Sequence, residues 1–209
     1  MANKDKTPVD LWEIQRGYAA RGYGLICGVD EAGRGPLAGP VCAAAVILPS
    51  EFTIPGLNDS KQLTDKKRRE LYPAIMSEAV SYGIAFVDES IIDRDNILNA
   101  TFMAMKSAIS QLFPKPDLAL IDGNRISDFG VEAEPVVKGD ARVASIAAAS
   151  ILAKVARDQY MEAIDAVYPQ YGFAIHKGYG TKRHYAALSE YGMCPIHRRT
   201  FLKKFYGEK

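Results

Sequence analysis

Apolar residues along the chain occur in two patterns, as short continuous runs and as longer segments in which they recur every three or four positions. Continuous runs bordered by Gly, Pro or Asn are typical of buried strands, and the other spacing is typical of amphipathic helices. The first pattern predicts five strands, at residues 25–30, 39–48, 81–87, 118–122 and 132–138.

The second pattern predicts helices at residues 11–18, 92–112 and 140–167, and one that begins after Thr64, a good N-cap. Two short helices are predicted near the end of the chain, at residues 181–191 and 198–205. Leu71 and Ile75 share one face of the helix after Thr64, and Pro73 within it is expected to kink or split it. The long helix is expected to begin at Asp140.

The order β-β-α-β-α-β-β-α, followed by small helices, predicts an α/β protein with a mixed sheet and helices packed on it. The first two strands are close enough in sequence to form a hairpin, whereas helices separate most of the later strands. The chain has 209 residues, of which 48% are hydrophobic, so one domain with a real core is expected.

Charge and cysteine content narrow the class of protein. A net charge of +1 excludes a histone-like surface but not a local basic patch. The apolar runs are too short to cross a membrane, and the polar first ten residues do not resemble a secretion signal. Three scattered cysteines indicate reduced thiols in a cytoplasmic protein, and the three histidines lack zinc-site spacing.

Two of the predicted strands end in acidic residues. The run 25–29 is followed by Asp30 and Glu31, and the run 118–121 by Asp122. Aspartate often begins a turn, and that interpretation suffices for a single strand. If the two strands are neighbours, however, their carboxylates converge and repel each other, and a divalent cation relieves the repulsion. Mg²⁺ prefers such oxygen ligands and keeps positions for water and phosphate.

Other features have a structural interpretation beside a functional one. Asp140 suits the first turn of a helix, which favours a structural role. The loop Gly33-Arg34-Gly35 is either a tight turn or a ligand loop, because glycine lets backbone N–H groups approach a ligand and Arg34 can meet a phosphate. Close packing on the sheet is favoured for the small residues of the long helix: Ser145, Ala148, Ala149, Ser150 and Ala153.

The sequence resembles the type 2 ribonuclease H (RNase HII) family over about residues 24–200. The matching stretches occur in the family's order: Gly28-Val29-Asp30-Glu31-Ala32-Gly33-Arg34-Gly35-Pro36-Leu37-Ala38-Gly39-Pro40-Val41, Asn58-Asp59-Ser60-Lys61-Gln62-Leu63, Ile121-Asp122-Gly123-Asn124, Lys138-Gly139-Asp140-Ala141, Ser145-Ile146-Ala147-Ala148-Ala149-Ser150-Ile151-Leu152-Ala153-Lys154-Val155-Ala156-Arg157-Asp158 and His176-Lys177-Gly178-Tyr179-Gly180-Thr181. The first stretch is long and very specific. Gln62 is a mild departure, since the family commonly has lysine there.

The resemblance implies an RNase H-like fold, with a mixed five-stranded sheet and helices on both faces. It assigns residues 1–23 to an N-terminal extension, 24–180 to the catalytic domain and 181–209 to a C-terminal helical basic segment. It implies a catalytic metal site for two Mg²⁺ or Mn²⁺ ions, formed by Asp30, Glu31, Asp122 and Asp140. It also implies substrate binding by Gly33, Arg34, Gly35, Lys61 and Tyr179.

The implied reaction is endonucleolytic hydrolysis of RNA in RNA–DNA hybrids and cleavage 5′ to single ribonucleotides in duplex DNA, leaving 3′-hydroxyl and 5′-phosphate ends. In the family, the Gly33–Gly35 backbone and the residue matching Tyr179 read the 2′-hydroxyl, the group that distinguishes RNA from DNA. Without the resemblance, Tyr179 would be interpreted as a tyrosine packed in a glycine loop.

Clustered basic residues agree with a nucleic-acid partner. Eight Lys or Arg residues lie between positions 177 and 209, either as a solvated tail or as phosphate contacts beside the acidic site. Residues 66–69 form a second basic run, interpreted first as a solvated helix face.

The alternatives to a type 2 enzyme are a non-catalytic duplex-binding module and the type 3 enzyme. The type 3 enzyme usually has an extra N-terminal domain, which is not expected in the twenty or so residues before the first strand. A monomer without membrane attachment is expected.

Overall fold

The computed structural model describes residues 9–50, 57 and 63–207 of the chain. Lys61, one of the residues assigned to substrate binding, lies outside these residues. The strands are β1 (Ile26–Ala32), β2 (Val41–Ile47), β3 (Ser81–Val87), β4 (Leu118–Asp122) and β5 (Glu132–Val136). The helices are α1 (Glu13–Ala19), α2 (Asp65–Glu78), α3 (Glu89–Ser110), α4 (Ala144–Val167), α5 (Phe173–His176), α6 (Lys182–Tyr191) and α7 (Arg199–Tyr206).

The five strands form one mixed sheet in the order β3-β2-β1-β4-β5. β1 pairs antiparallel with β2, and β2 with β3, whereas β4 runs parallel to both β1 and β5. The predicted mixed five-stranded sheet is therefore confirmed. Its central strands, β1 and β4, are the two whose predicted ends carry the acidic residues.

Helices cover both faces of the sheet. Cys27 and Val29 of β1 belong to the apolar cluster that α3 completes, whereas Ala44 and Val46 of β2 belong to the one that α4 completes. Gly28 lies directly beneath α4, where a side-chain carbon would overlap the backbone of Ser145 and Ile146. Glycine here allows the helix to lie close enough to β1 to place its side chains beside the strand's acidic end.

Helix α2 runs through Pro73 as one element, so Pro73 does not split it. Pro73 is on the exposed side, where the carbonyl that loses its bond can be hydrated, and Leu71 and Ile75 anchor the buried side. By contrast, the helix predicted at residues 92–112 begins earlier and is broken at Asn96, which has a φ of 67°. The Asn96 side chain accepts the N–H groups of Leu98 and Asn99 and so begins a new helical segment.

The sequence predicted that the long helix begins at Asp140, and this prediction is wrong. Asp140 lies in a 3₁₀ turn, Gly139–Ala141, and α4 starts at Ala144 after Val143 in extended backbone. Helix α5 was not predicted either. None of the described helices is long and apolar enough to span a bilayer.

Candidate active site

The sheet brings the two acidic strand ends together. Val29 of β1 pairs with Ile121 of β4 in parallel register, so the next positions, Asp30 and Asp122, are neighbours. Asp30, Glu31 and Asp122 line one cleft of about 240 Å³. The convergence predicted from the apolar runs is therefore present.

Asp30 is buried, with 4% of its surface exposed. Its Oδ1 accepts the N–H of Glu31 at 2.7 Å, and its carboxylate is also hydrogen-bonded by the side chain of Ser150. Burial, followed by the charges of Glu31 and Asp122, raises the pKa of Asp30 well above its usual range. The ionised form of Asp30 is thus disfavoured beyond what its hydrogen bonds offset.

The other acids are held by different groups. Glu31 forms an ion pair with Arg34, with 3.4 Å between Oε1 and Nη1. Asp122 accepts the N–H of Gly139 at 2.7 Å, which fixes the 3₁₀ turn beside the end of β4. Asp140 follows directly in that turn and is 2% exposed. It is therefore next to Asp122 through the backbone, although it is not among the residues that line the cleft.

Carboxylate oxygens are the ligands that Mg²⁺ and Mn²⁺ prefer, so the carboxylates that line this cleft fit a divalent cation. Within the described ranges, no three His, Cys, Asp or Glu side chains already stand in metal-binding geometry. Glu31 contacts Arg34, and Asp122 accepts the N–H of Gly139.

Helix α4 contributes a polar wall that the sequence interpretation missed. Ser150, Lys154 and Arg157 line the same cleft as the acids. They recur at helical spacing on one face, and this was the signal available in the sequence. The interpretation of Ser150 as only a packing residue is incomplete, since it also bonds Asp30. Lys154 pairs with Asp158 at 2.8 Å, and Arg68 of the basic run 66–69 also lines the cleft.

The loop between β1 and β2 faces this cleft. Gly33 is buried and has a φ of 95°, a left-handed conformation that glycine adopts without strain. A side-chain carbon at Gly33 would also overlap the guanidinium of Arg157. Arg34 and Gly35 are exposed. The positive φ of Gly33 and the close approach of Arg157 therefore both require glycine at this position.

Tyr179 lies across from the glycine loop. It is 46% exposed and lines the cleft, and a Cβ on Gly35 would be 3.7 Å from its ring carbon Cε1. Tyr179 and Gly35 are therefore neighbours at the mouth of the cleft. The structure thus places Asp30, Glu31, Gly33, Arg34, Gly35, Asp122 and Tyr179 around one site, with Asp140 at its edge.

A chain of buried histidines supports the Tyr179 loop. Nδ1 of His184 donates to the carbonyl of Tyr179 at 3.0 Å, which leaves Nε2 of His184 as the acceptor from Nε2 of His197. Nδ1 of His197 then accepts the N–H of Cys194 at 2.9 Å. His176 stacks on His184 and accepts the N–H of Gly178. Each ring is therefore held in one neutral tautomer.

We expect this cluster to make the protein sensitive to acid. Burial lowers the pKa of His184 and of His197 from 6.5 to about 4 and also lowers that of His176. Between pH 6.5 and about 4 the unfolded chain binds protons that the folded protein excludes, so stability falls as pH falls. Each of the two larger shifts corresponds to about 3 kcal/mol.

The measurement is the urea midpoint at pH 7.5 and at pH 5. The sequence has only three histidines, all in this cluster, so His197→Gln should reduce the difference between the two midpoints. Equal midpoints for the unmodified protein would contradict the assignment.

The C-terminal segment is not simply a solvated basic tail. Lys203 and Lys204 are exposed, whereas Arg198 is fully buried and Leu202 packs with Leu37 and Leu188. The N–H of Gly39 donates to Ile196, and that of Arg198 donates to Leu37. This segment therefore forms part of the support for the glycine loop.

An acidic cleft at the ends of two central parallel strands, walled by cationic side chains, suits a hydrolase that acts on a phosphate with the help of a divalent cation. The family model described as Ribonuclease HII matches residues 27–204. The chain belongs to the ribonuclease HII family, whose members are hydrolases that act on RNA–DNA hybrids.

Individual relatives agree. A Ribonuclease HII from Ruminiclostridium cellulolyticum is 54% identical over 93% of this chain and 76% of its own length. The crystal structure of ribonuclease H2 from Pyrococcus horikoshii OT3 has a TM-score of 0.76 at 26% identity, covering 89% of this chain and all of that one. Bst-RNase HIII in complex with Mn²⁺ has a TM-score of 0.59 at 21% identity, covering 91% and 68%, which shows the common fold.

Proposed function

We propose that this enzyme cuts the RNA strand of RNA–DNA hybrids and also cleaves duplex DNA on the 5′ side of a single embedded ribonucleotide. The observation that carries the proposal is the placement of Asp30, Glu31, Asp122, Gly33 and Tyr179 around one cleft. The carboxylates that would act on a phosphate therefore lie next to the groups that would bind the adjacent sugar. We expect products with 3′-hydroxyl and 5′-phosphate ends.

The four acids take the catalytic roles in this proposal. Asp30, Glu31, Asp122 and Asp140 would hold two divalent cations, Mg²⁺ or Mn²⁺. Such cations supply, when bound, an activated water and charge stabilisation on the leaving oxygen. Mn²⁺ is present in the related Bst-RNase HIII complex. Lys154 and Arg68 line the cleft and offer positive charge to the scissile phosphate.

Two groups of the chain suit the reading of a 2′-hydroxyl. Arg34 and Gly35 present backbone N–H groups on an exposed loop, and neither group has a backbone acceptor among the described residues. Tyr179 offers an aromatic face for stacking and a hydroxyl for hydrogen bonding. Because Tyr179 lies beside Gly35, one ribose can contact both.

The test uses three labelled duplexes of one sequence: all DNA, DNA with one ribonucleotide, and an RNA–DNA hybrid. With Mg²⁺ or Mn²⁺ the second should be cut once, 5′ to the ribonucleotide, and the hybrid at several positions, with no cut in the first. Chelation with EDTA should abolish cleavage. A cut on the 3′ side, or no cut at the single ribonucleotide, would contradict the proposal.

We expect affinity for these duplexes to fall steeply with salt, and the exposed lysines of α7 to set part of that dependence. Deleting residues 198–209 is not a clean test, because Arg198 and Leu202 are buried. Lys203→Gln combined with Lys204→Gln should make the slope of log affinity against log salt shallower by about 0.9 for each phosphate that the protein no longer neutralises. Lys66→Gln with Lys67→Gln is the matched control, and equal slopes for all proteins would show a merely solvated tail.

We also propose that the enzyme works as a cytoplasmic monomer. Its three cysteines are free thiols, two of them buried, which suits a reducing compartment. Size-exclusion chromatography at micromolar concentration tests the oligomeric state.

A further inference from the structure

Arg198 and Arg157 are two large, fully buried cationic side chains that the proposed chemistry does not use. They are 0% and 1% exposed, and neither forms an ion pair within the described part of the chain. Burial lowers the pKa of both guanidinium groups. Burying an arginine is costly unless its N–H groups are all bonded, so two such residues side by side call for an explanation.

The hydrogen-bond partners of the Arg198 guanidinium are all backbone carbonyls of residues 33–39. Its guanidinium makes five hydrogen bonds: Nε to Gly39, Nη1 to Arg34 and Pro36, and Nη2 to Gly33 and Gly39, at 2.6–3.0 Å. Only a planar fork with five donors satisfies so many carbonyls at once, and lysine has three donors and no fork. The side chain thus fixes the course of residues 33–39.

Arg157 joins this loop to the one that carries Tyr179. Its Nε donates to the carbonyl of Pro40 and its Nη2 to that of Ala38, whereas its Nη1 donates to the carbonyl of Lys177 at 3.0 Å. The N–H of Leu37 also donates to Gly178. The Arg157 guanidinium and this backbone bond therefore hold the two loops together.

The carbonyl contacts determine where the N–H groups point. In a trans peptide unit the C=O and the following N–H point in opposite directions. Because the carbonyls of Gly33 and Arg34 point inward to Arg198, the N–H groups of Arg34 and Gly35 point away from it, on exposed residues. These are the two donors proposed above to read the 2′-hydroxyl.

We propose that Arg198 is a positioning residue for ribonucleotide recognition, which aims the N–H groups of Arg34 and Gly35, and that Arg157 sets the Tyr179 loop against them. This inference rests on the proposed function. Arg198→Lys keeps the charge but cannot bond all four carbonyls, so the loop loses its fixed course. The N–H groups of Arg34 and Gly35 then no longer have a fixed direction, although the acids and the cationic side chains that line the cleft stay in place.

The experiment measures binding in Ca²⁺, without turnover, to the all-DNA duplex and to the duplex with one ribonucleotide. Arg198→Lys should reduce the preference for the ribonucleotide about tenfold, the effect of roughly one net hydrogen bond, with all-DNA affinity nearly unchanged. Amide exchange in residues 33–40 should accelerate. Arg157→Lys should show the same direction of change, and it replaces Arg198→Lys if that variant does not fold.

Two controls separate positioning from reduced stability. Arg94→Lys changes an exposed arginine, and Ile75→Val removes a buried methyl group on α2. Neither should alter the preference. An unchanged preference in both Arg198→Lys and Arg157→Lys, or an equal loss of affinity for both duplexes, would overturn the inference. If the unmodified enzyme shows no preference and does not cut the single ribonucleotide, the proposed function itself fails first.

Discussion

Asp30→Asn should reduce hydrolysis of an RNA–DNA hybrid by orders of magnitude while the protein folds as before. The substitution removes a charge from the proposed cation site but keeps an oxygen that can accept the N–H of Glu31. Burial and the neighbouring charges of Glu31 and Asp122 penalise the ionised Asp30. Thermal stability without added metal should therefore be equal or higher. Asp122→Asn should also inactivate the enzyme.

The measurements are single-turnover rates at saturating Mg²⁺ and melting temperatures in EDTA. Asp128→Asn is the matched control, because Asp128 is exposed and pairs only with Lys106 and the N–H of Gly130 among the described residues. It should leave both quantities unchanged. Near-normal turnover in Asp30→Asn or Asp122→Asn would disprove the assignment of these acids to catalysis.

Tyr179→Ala should lose most activity on a single ribonucleotide in DNA and much less on a long hybrid. In the first substrate one 2′-hydroxyl must position the scissile phosphate, whereas the hybrid offers many registers. Tyr179→Phe keeps the ring beside Gly35 and removes the hydroxyl, so its activity should lie between those of the unmodified and alanine enzymes. Stability should change little, since the side chain is half exposed.

The comparison requires kcat/KM for both substrates with each protein. Tyr82→Ala on the edge strand β3 is a control with similar exposure. An equal loss on both substrates would show that Tyr179 supports general binding, and the reading of the ribonucleotide would need another residue.

The sheet and its acids could be predicted because their signals are local. Continuous apolar runs mark β1 and β4, and Asp30 and Asp122 stand out where those runs stop. Asp140 was harder, because an acid at a helix start has a sufficient structural explanation. Its 3₁₀ turn depends on the contact between Gly139 and Asp122.

Other features could not be predicted, because they depend on contacts between distant parts of the chain. Arg198 reads as one more charge of a basic tail, and its acceptors lie about 160 positions earlier. Ser150 reads as a small packing residue until β1 places Asp30 beside it. The roles of such side chains depend on contacts that form when the sheet assembles, and the spacing of apolar residues along the sequence does not reveal these contacts.

The C-terminal segment has a consequence for the synthesis of the enzyme on the ribosome. The carbonyls of residues 33–39 receive five hydrogen bonds from Arg198, which is translated about 160 residues after them. A nascent chain can build β1 to β5 and bring its acids together before that residue emerges. If Arg198 has the positioning role proposed above, a nascent chain that has not yet reached Arg198 carries the acids of β1 and β4 while residues 33–39 still lack these five hydrogen bonds.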